Sequence, residues 1–138
     1  MIPGKSDKPT LHIALALIWK DAQLLVTQRP QGVHLAGFWE FPGGKCHAGE
    51  AAPACAEREA FEEVAVVCRA LGVRSAIRHE YPERIVLLEP VDCAWQSGAP
   101  RRLAVADFAW VGPAELARYE FPPANAALIR DIMAGGQK

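Results

Sequence analysis

The chain has almost no net charge: 15 Lys and Arg stand against 16 Asp and Glu in 138 residues, giving −1 at pH 7. Proteins that hold nucleic-acid polymers by their phosphates need a basic excess, so that class is excluded, whereas a single mononucleotide is not. Long hydrophobic runs are also missing. The longest, residues 13–19, is far short of the ~20 residues that cross a bilayer, which argues against a membrane partner. The opening MIPGKSDKPT is polar and has no apolar signal core, which points to the cytoplasm. The four cysteines, Cys46, Cys55, Cys68 and Cys93, form no C-x-x-C pair and have few metal ligands as sequence neighbours, so free thiols in a reducing compartment are expected. No repeat, low-complexity segment or linker divides the sequence. Residues 1–138 therefore read as one domain, with 1–10 a flexible lead-in.

The order of elements is legible in outline. Apolar runs at 11–19 and 24–28 flank Lys20-Asp21-Ala22-Gln23 and read as a hairpin. Aromatics at 38–41 before Gly43-Gly44 predict a short buried strand that stops at a tight turn. A helix should start between Glu50 and Pro53 and run to about Val64. Residues 66–80 and 85–95 read as strands joined around Tyr81-Pro82-Glu83-Arg84, the second broken by Pro90. A strand at 108–111, a short helix at 113–119 and a closing helix at 125–133 complete the chain. Strands mixed with helices, without regular βαβ alternation, predict an α/β layered domain around a mixed sheet.

The chemistry concentrates in FPGGKCHAGEAAPACAEREAFEEVAV, residues 41–66. At about 100° per residue, Glu59, Glu62 and Glu63 share one arc of a helix while Ala60, Phe61 and Val64 fall on another. Like charges at these spacings repel unless a cation sits among them. Hard oxygen ligands at that density suit Mg²⁺ or Mn²⁺, which bind jointly through carboxylates and substrate phosphates. A glycine turn beside them lets main-chain atoms approach a metal or phosphate closely, Lys45 adds a point charge, and Arg29 leaves a strand nearby. Such a site is built to activate water against phosphorus in a diphosphate linkage. A solvated acidic helix face is the bland alternative. The glycine turn, the spaced Glu50 and Arg58 within the cluster argue against it, since six fixed positions match by chance on the order of once in 10⁵.

Gly44, Glu50, Arg58, Glu59, Ala60, Glu62, Glu63 and Val66 resemble the Nudix box, Gly-x5-Glu-x7-Arg-Glu-U-x-Glu-Glu-x-Gly-U with U apolar. Ala65 stands where that pattern has its last glycine, a residue suited to ending a helix with φ > 0. The resemblance implies a Nudix-type α/β/α sandwich that hydrolyses nucleoside diphosphates linked to a further group. It implies Glu59, Glu62 and Glu63 as metal ligands helped by the Gly44 carbonyl, and Arg58 as the group orienting Glu59 or Glu50. Glu59 is the favoured general base.

Beyond the box, the sequence is similar to the MutT group of nucleoside triphosphate pyrophosphohydrolases, which act on 8-oxo-dGTP. Trp39-Glu40-Phe41-Pro42-Gly43-Gly44-Lys45, Tyr81-Pro82-Glu83-Arg84 and Phe121-Pro122-Pro123-Ala124-Asn125 carry that likeness. It implies that Asn125 binds the purine edge, Arg84 lies near the base and Arg29 contacts phosphate. A further acidic ligand expected ahead of the strand at Phe108 has no clear match, since Arg101, Arg102 and Leu103 occupy that neighbourhood. A carboxamide complements O6 and N7–H of 8-oxoguanine, but flipped over it fits adenine as well, so selectivity depends on what fixes the flip. Two rivals remain: the same chemistry on a pyrimidine triphosphate such as CTP, and a nucleotide-sensing module that no longer turns over. Retention of Glu59, Glu62 and Glu63 weighs against the second.

Overall fold

The structure, a computed structural model, describes residues 8–135; the expected lead-in lies outside the described residues as far as position 7. From there the chain is already engaged, with Lys8 paired to Glu80 and β1 beginning at Thr10. Strands β1 (Thr10–Lys20) and β2 (Gln23–Gln28) form the expected hairpin, with Trp19 opposite Leu24 and Lys20 opposite Gln23. Asp21 and Ala22 both take positive φ, 50° and 63°, the backbone that a two-residue hairpin needs to match the twist of its strands.

β1 is central and buried on both sides, which is why it reads as a continuous apolar run rather than an alternation. Ala14, Ala16 and Ile18 face one layer, while Leu15, Leu17 and Trp19 face the other. Strand β7 (Ile85–Ser97) runs parallel to it, from Thr10 opposite Ile85 to Trp19 opposite Ala94, and all other pairings are antiparallel. The path is β3 (Trp39–Glu40), β2, β1, β7, β5 (Val67–Val73), with β4 (Gly43–Lys45) on β1, β6 (Ile77–Glu80) on β7 and β8 (Asp107–Val111) on β2. The sheet is mixed, as expected.

Pro90 does not break β7. Its carbonyl accepts from the Arg74 N–H at 2.8 Å, so its missing N–H faces the same edge, where the neighbouring chain is interrupted between β5 and β6.

Helix α1 (Ala52–Val64) covers one sheet face and α2 (Ala126–Gly135) the other, with a 3₁₀ segment at Pro113–Arg118 beside α2. On α1 the buried residues are Ala52, Cys55, Ala56, Ala60 and Val64. Phe61, expected on the apolar side, is 56% exposed. A stripe made mostly of alanine and cysteine brings the helix axis close to the sheet, and a phenylalanine in it would push the helix away. Ala65 ends α1 in the left-handed region, φ 61° and ψ 27°, its N–H on the Phe61 carbonyl. The helix closes as if the glycine were present, at a cost of about 1 kcal/mol for the added Cβ. Away from this end, the buried guanidinium of Arg74 donates to both carboxylate oxygens of Asp92, at 2.8 and 3.1 Å, and Trp19 Nε1 donates to Asp92 Oδ1 at 2.9 Å.

Candidate active site

The close approach of α1 to the sheet places its acidic side against the β4 turn. Gly44 lies directly under Glu59: a Cβ built on it would stand 2.5 Å from Glu59 Cδ. The Gly43 N–H donates to Glu63 Oε2 at 3.3 Å. Gly43 packs on the backbone of β1, which cannot give way, and Gly44 on the movable end of Glu59.

Arg58 is the hub of the cluster. Its Nε and Nη2 donate to the two oxygens of Glu50 at 2.8 and 2.9 Å, while Nη1 donates to Glu62 at 3.0 Å and Glu59 at 3.3 Å. Nη2 also reaches the Lys45 carbonyl at 2.9 Å, tying helix to turn. Of the two partners the sequence left open for Arg58, Glu50 receives the bidentate pair and Glu59 a single longer bond. The forked pair, with the His47 N–H, holds the Glu50 carboxyl down at about 2. Glu50 is therefore firmly ionised and fully engaged.

Glu63 is in the opposite condition. Burial, the negative charge of Glu40 and that of Glu59 push its carboxyl up to about 8, against the pull of the Gly43 N–H and Arg29. Glu40 is raised too, by burial first, with Arg29 at 3.2 Å opposing. Carboxylates facing one another beside a bare glycine backbone are an electrostatic deficit that a cation relieves. The oxygen donors and the open approach over Gly44 fit a hard divalent ion completed by water and phosphate oxygens.

Arg29, Glu40, Phe41, Gly43, Gly44 and Glu63, with Ile13 and Leu15 as floor, line a cleft of about 280 Å³. Ala104 completes its rim, so the neighbourhood of the unmatched ligand contributes a methyl group. The exposed Lys45 side chain, Arg84 in the Tyr81–Arg84 turn and Asn125 are not part of this lining. Asn125 is buried in a 3₁₀ turn (Pro123–Asn125), its N–H on the Pro122 carbonyl, and its carboxamide has no hydrogen-bond partner among the described residues. A helix-cap role for that carboxamide thus finds no bond. Its segment is fastened to β3: Trp39 stacks edge-on with Tyr119 at 4.9 Å, Phe41 meets Phe121 at 5.3 Å, and the Trp39 N–H donates to the Glu120 carbonyl.

Sequence reasoning gave no role to Glu40, which both pairs with Arg29 and loads charge onto Glu63. A lone acid in a two-residue strand has no periodicity to reveal it. The cysteines also depart from expectation. All four are free, but Cys46 and Cys55 are not among ligand-poor neighbours: their sulfurs and a Glu50 oxygen lie within 4.8 Å of one another. Among the described residues no helix is long and apolar enough to cross a membrane.

Comparison with known proteins gives the family. The NUDIX domain matches residues 14–131. An 8-oxo-dGTP diphosphatase of Haemophilus influenzae is 32% identical over 92% of this chain and 94% of its own. A CTP pyrophosphohydrolase of Escherichia coli strain K12 is 27% identical, covering 90% and 92%. The solution structure of the E. coli ORF135 protein superposes with a TM-score of 0.79 at 26% identity, covering 92% and 91%. With the box residues gathered about Arg58 at the mouth of the cleft, the chain belongs to the Nudix family of hydrolases.

Proposed function

We propose that this chain hydrolyses nucleoside triphosphates to a monophosphate and pyrophosphate, with Mg²⁺ as the metal and 8-oxo-dGTP as the favoured substrate. Nudix hydrolases generally need a divalent ion, and the carboxylate set here suits magnesium or manganese. The observation that carries the reading is the Arg58 hub, which holds Glu50, Glu59 and Glu62 in one arrangement beside the bared Gly44 backbone and the Arg29 cleft.

The contacts support a division of labour. Glu59, Glu62, Glu63 and the Gly44 carbonyl are the metal-binding groups, and Arg58 and Glu50 act on them by position. A bound divalent ion would neutralise phosphate charge and lower the pKa of an attacking water. Glu59, against Gly44, is the general base that takes the proton of that water. Arg29, on the cleft wall, and Lys45 meet the phosphate chain. Glu63, a poor ligand while protonated, would lose its proton to solvent on holding a cation. Asn125 reads the base with Arg84 nearby; its segment is fixed by Phe121 on Phe41, and its carboxamide donors and acceptor are uncommitted.

That same freedom favours a second reading. Nothing among the described residues bonds the Asn125 amide and so fixes its flip, and one relative is named a CTP pyrophosphohydrolase. Side-by-side kcat/KM on 8-oxo-dGTP, dGTP, CTP and dCTP, with products resolved as monophosphate plus pyrophosphate or diphosphate plus phosphate, tests both. A pyrimidine preference above about tenfold ends the first reading, since one good polar contact discriminates by that much or more. Release of inorganic phosphate alone ends both.

A further inference from the structure

The geometry points to a second cation site, for a thiophilic divalent ion of the zinc and cadmium class, formed by Cys46, Glu50 and Cys55 on the reverse side of Arg58. Its three ligand atoms come from different pieces of chain: the residue after β4, the connecting loop, and the first turn of α1. They nevertheless lie within 4.8 Å of one another. Tetrahedral zinc with Zn–S of about 2.3 Å places sulfurs roughly 3.8 Å apart, so closure asks for about 1 Å of movement. Rotation of the half-buried Cys46 and Glu50 side chains would supply it, with the backbone between them held by the Cys46 N–H on the His12 carbonyl and the Glu50 N–H on the His47 carbonyl. Cys55 is held in place by the sheet at 0% exposure, Cys46 and Glu50 are half-buried, and water would complete the coordination of a bound ion.

Ligand chemistry separates this site from the carboxylate cluster. Two sulfurs select zinc-class ions over magnesium, which prefers oxygen throughout. On binding, both thiols lose their protons to solvent, the two thiolates and the Glu50 carboxylate each donate an electron pair to the ion, and no redox step is involved.

The site shares one residue with the Arg58 hub. Glu50 accepts both forked bonds of Arg58, and Cys55 Sγ lies 3.8 Å from Arg58 Nη2 and 3.6 Å from the Gly44 carbonyl. A cation that takes the Glu50 carboxylate removes the anchor of the guanidinium that also holds Glu59 and Glu62. Zinc-class ions therefore inhibit from behind the carboxylates, without competing for them. This consequence rests on the hydrolase reading, whereas binding itself does not.

The test uses the full chain, kept reduced by a phosphine, with Cd²⁺ or Zn²⁺ alone as probe. One equivalent of Cd²⁺ should produce thiolate-to-cadmium charge-transfer absorption in the ultraviolet that persists in millimolar Mg²⁺. Cys46→Ser should abolish it, and Cys68→Ser, a buried thiol on β5 outside the site, should leave it intact. No absorption in the wild type, or full absorption in Cys46→Ser, overturns the site. With Mg²⁺ saturating, Zn²⁺ should slow wild-type turnover about 10–100-fold, the loss expected when a ligand-orienting partner is removed. It should slow Cys46→Ser much less at the same concentration. Equal inhibition of both overturns the link to Arg58. A chain that binds Cd²⁺ through Cys46 yet hydrolyses no nucleotide overturns the hydrolase reading instead.

Discussion

Gly43 and Gly44 are adjacent, yet alanine should injure them in different ways. At Gly44 a Cβ would fall 2.5 Å from Glu59 Cδ and Oε2 and 2.6 Å from Oε1. Comfortable contact begins near 3.5 Å, so the carboxylate must retreat by about 1 Å. It is the free end of a flexible side chain and can move while the fold stays intact. A displacement of about 1 Å in a reacting constellation costs on the order of 10²-fold. At Gly43 the built Cβ meets the Ala14 carbonyl oxygen at 2.3 Å and Leu15 Cα at 3.0 Å, both backbone of the central strand. Overpacking that cannot relax costs about 3 kcal/mol, or roughly 10 °C in a chain of this size. Thermal unfolding followed by steady-state turnover in Mg²⁺ separates the two. Gly44→Ala should melt within a few degrees of wild type and lose about 100-fold in kcat, while Gly43→Ala should lose its melting temperature first. A Gly44→Ala protein that is both stable and fully active would remove Glu59 from the reaction.

Further outcomes can be checked with the same two measurements. Ala65→Gly should add about 1 kcal/mol of stability, seen as a rise of a few degrees in Tm, with turnover unchanged, because φ 61° costs glycine nothing. Arg58→Gln should lower kcat about 10–100-fold, and an unaffected rate would cancel its orienting role. Glu63, raised from 4.5 to about 8, keeps a proton in the folded chain that the unfolded chain has lost. Metal-free protein should therefore lose stability as pH climbs through that window, by up to about 5 kcal/mol. Urea unfolding in chelator at both ends of the window measures this slope, and Glu63→Gln should flatten it; an equal slope in the variant refutes the assignment. Asn125→Ala should level the preference among bases more than it slows pyrophosphate release, and the reverse pattern would count against base reading.

Much of this was legible because it is local. The hairpin turn, the limits of α1 and the arc of Glu59, Glu62 and Glu63 follow from spacing within a few residues, and the glycine box names its own partners. Features set by contacts across the chain were not. Phe61 shares a helical arc with Ala60, but only the nearness of the sheet decides that small side chains go inward. Pro90 is harmless because the chain beside it happens to be interrupted. Glu40 acquires meaning from Arg29 and Glu63, and Cys46 meets Cys55 only because the β4 turn folds back onto the helix start.

The Arg74, Asp92 and Trp19 knot has a consequence for alignment. If β1 slid two residues along β7, every side chain would keep its face, so oil-and-water sorting alone would raise little objection. The slide would pull the Trp19 indole off Asp92, losing a buried hydrogen bond to a charged group worth about 1.5–3 kcal/mol. It would also carry the glycine turn, hydrogen-bonded to β1 at Ala14, about 6.6 Å away from the helix carboxylates. A polar clasp remote from the chemistry thus works as a vernier, setting where along the sheet the phosphate-cleaving machinery comes into focus.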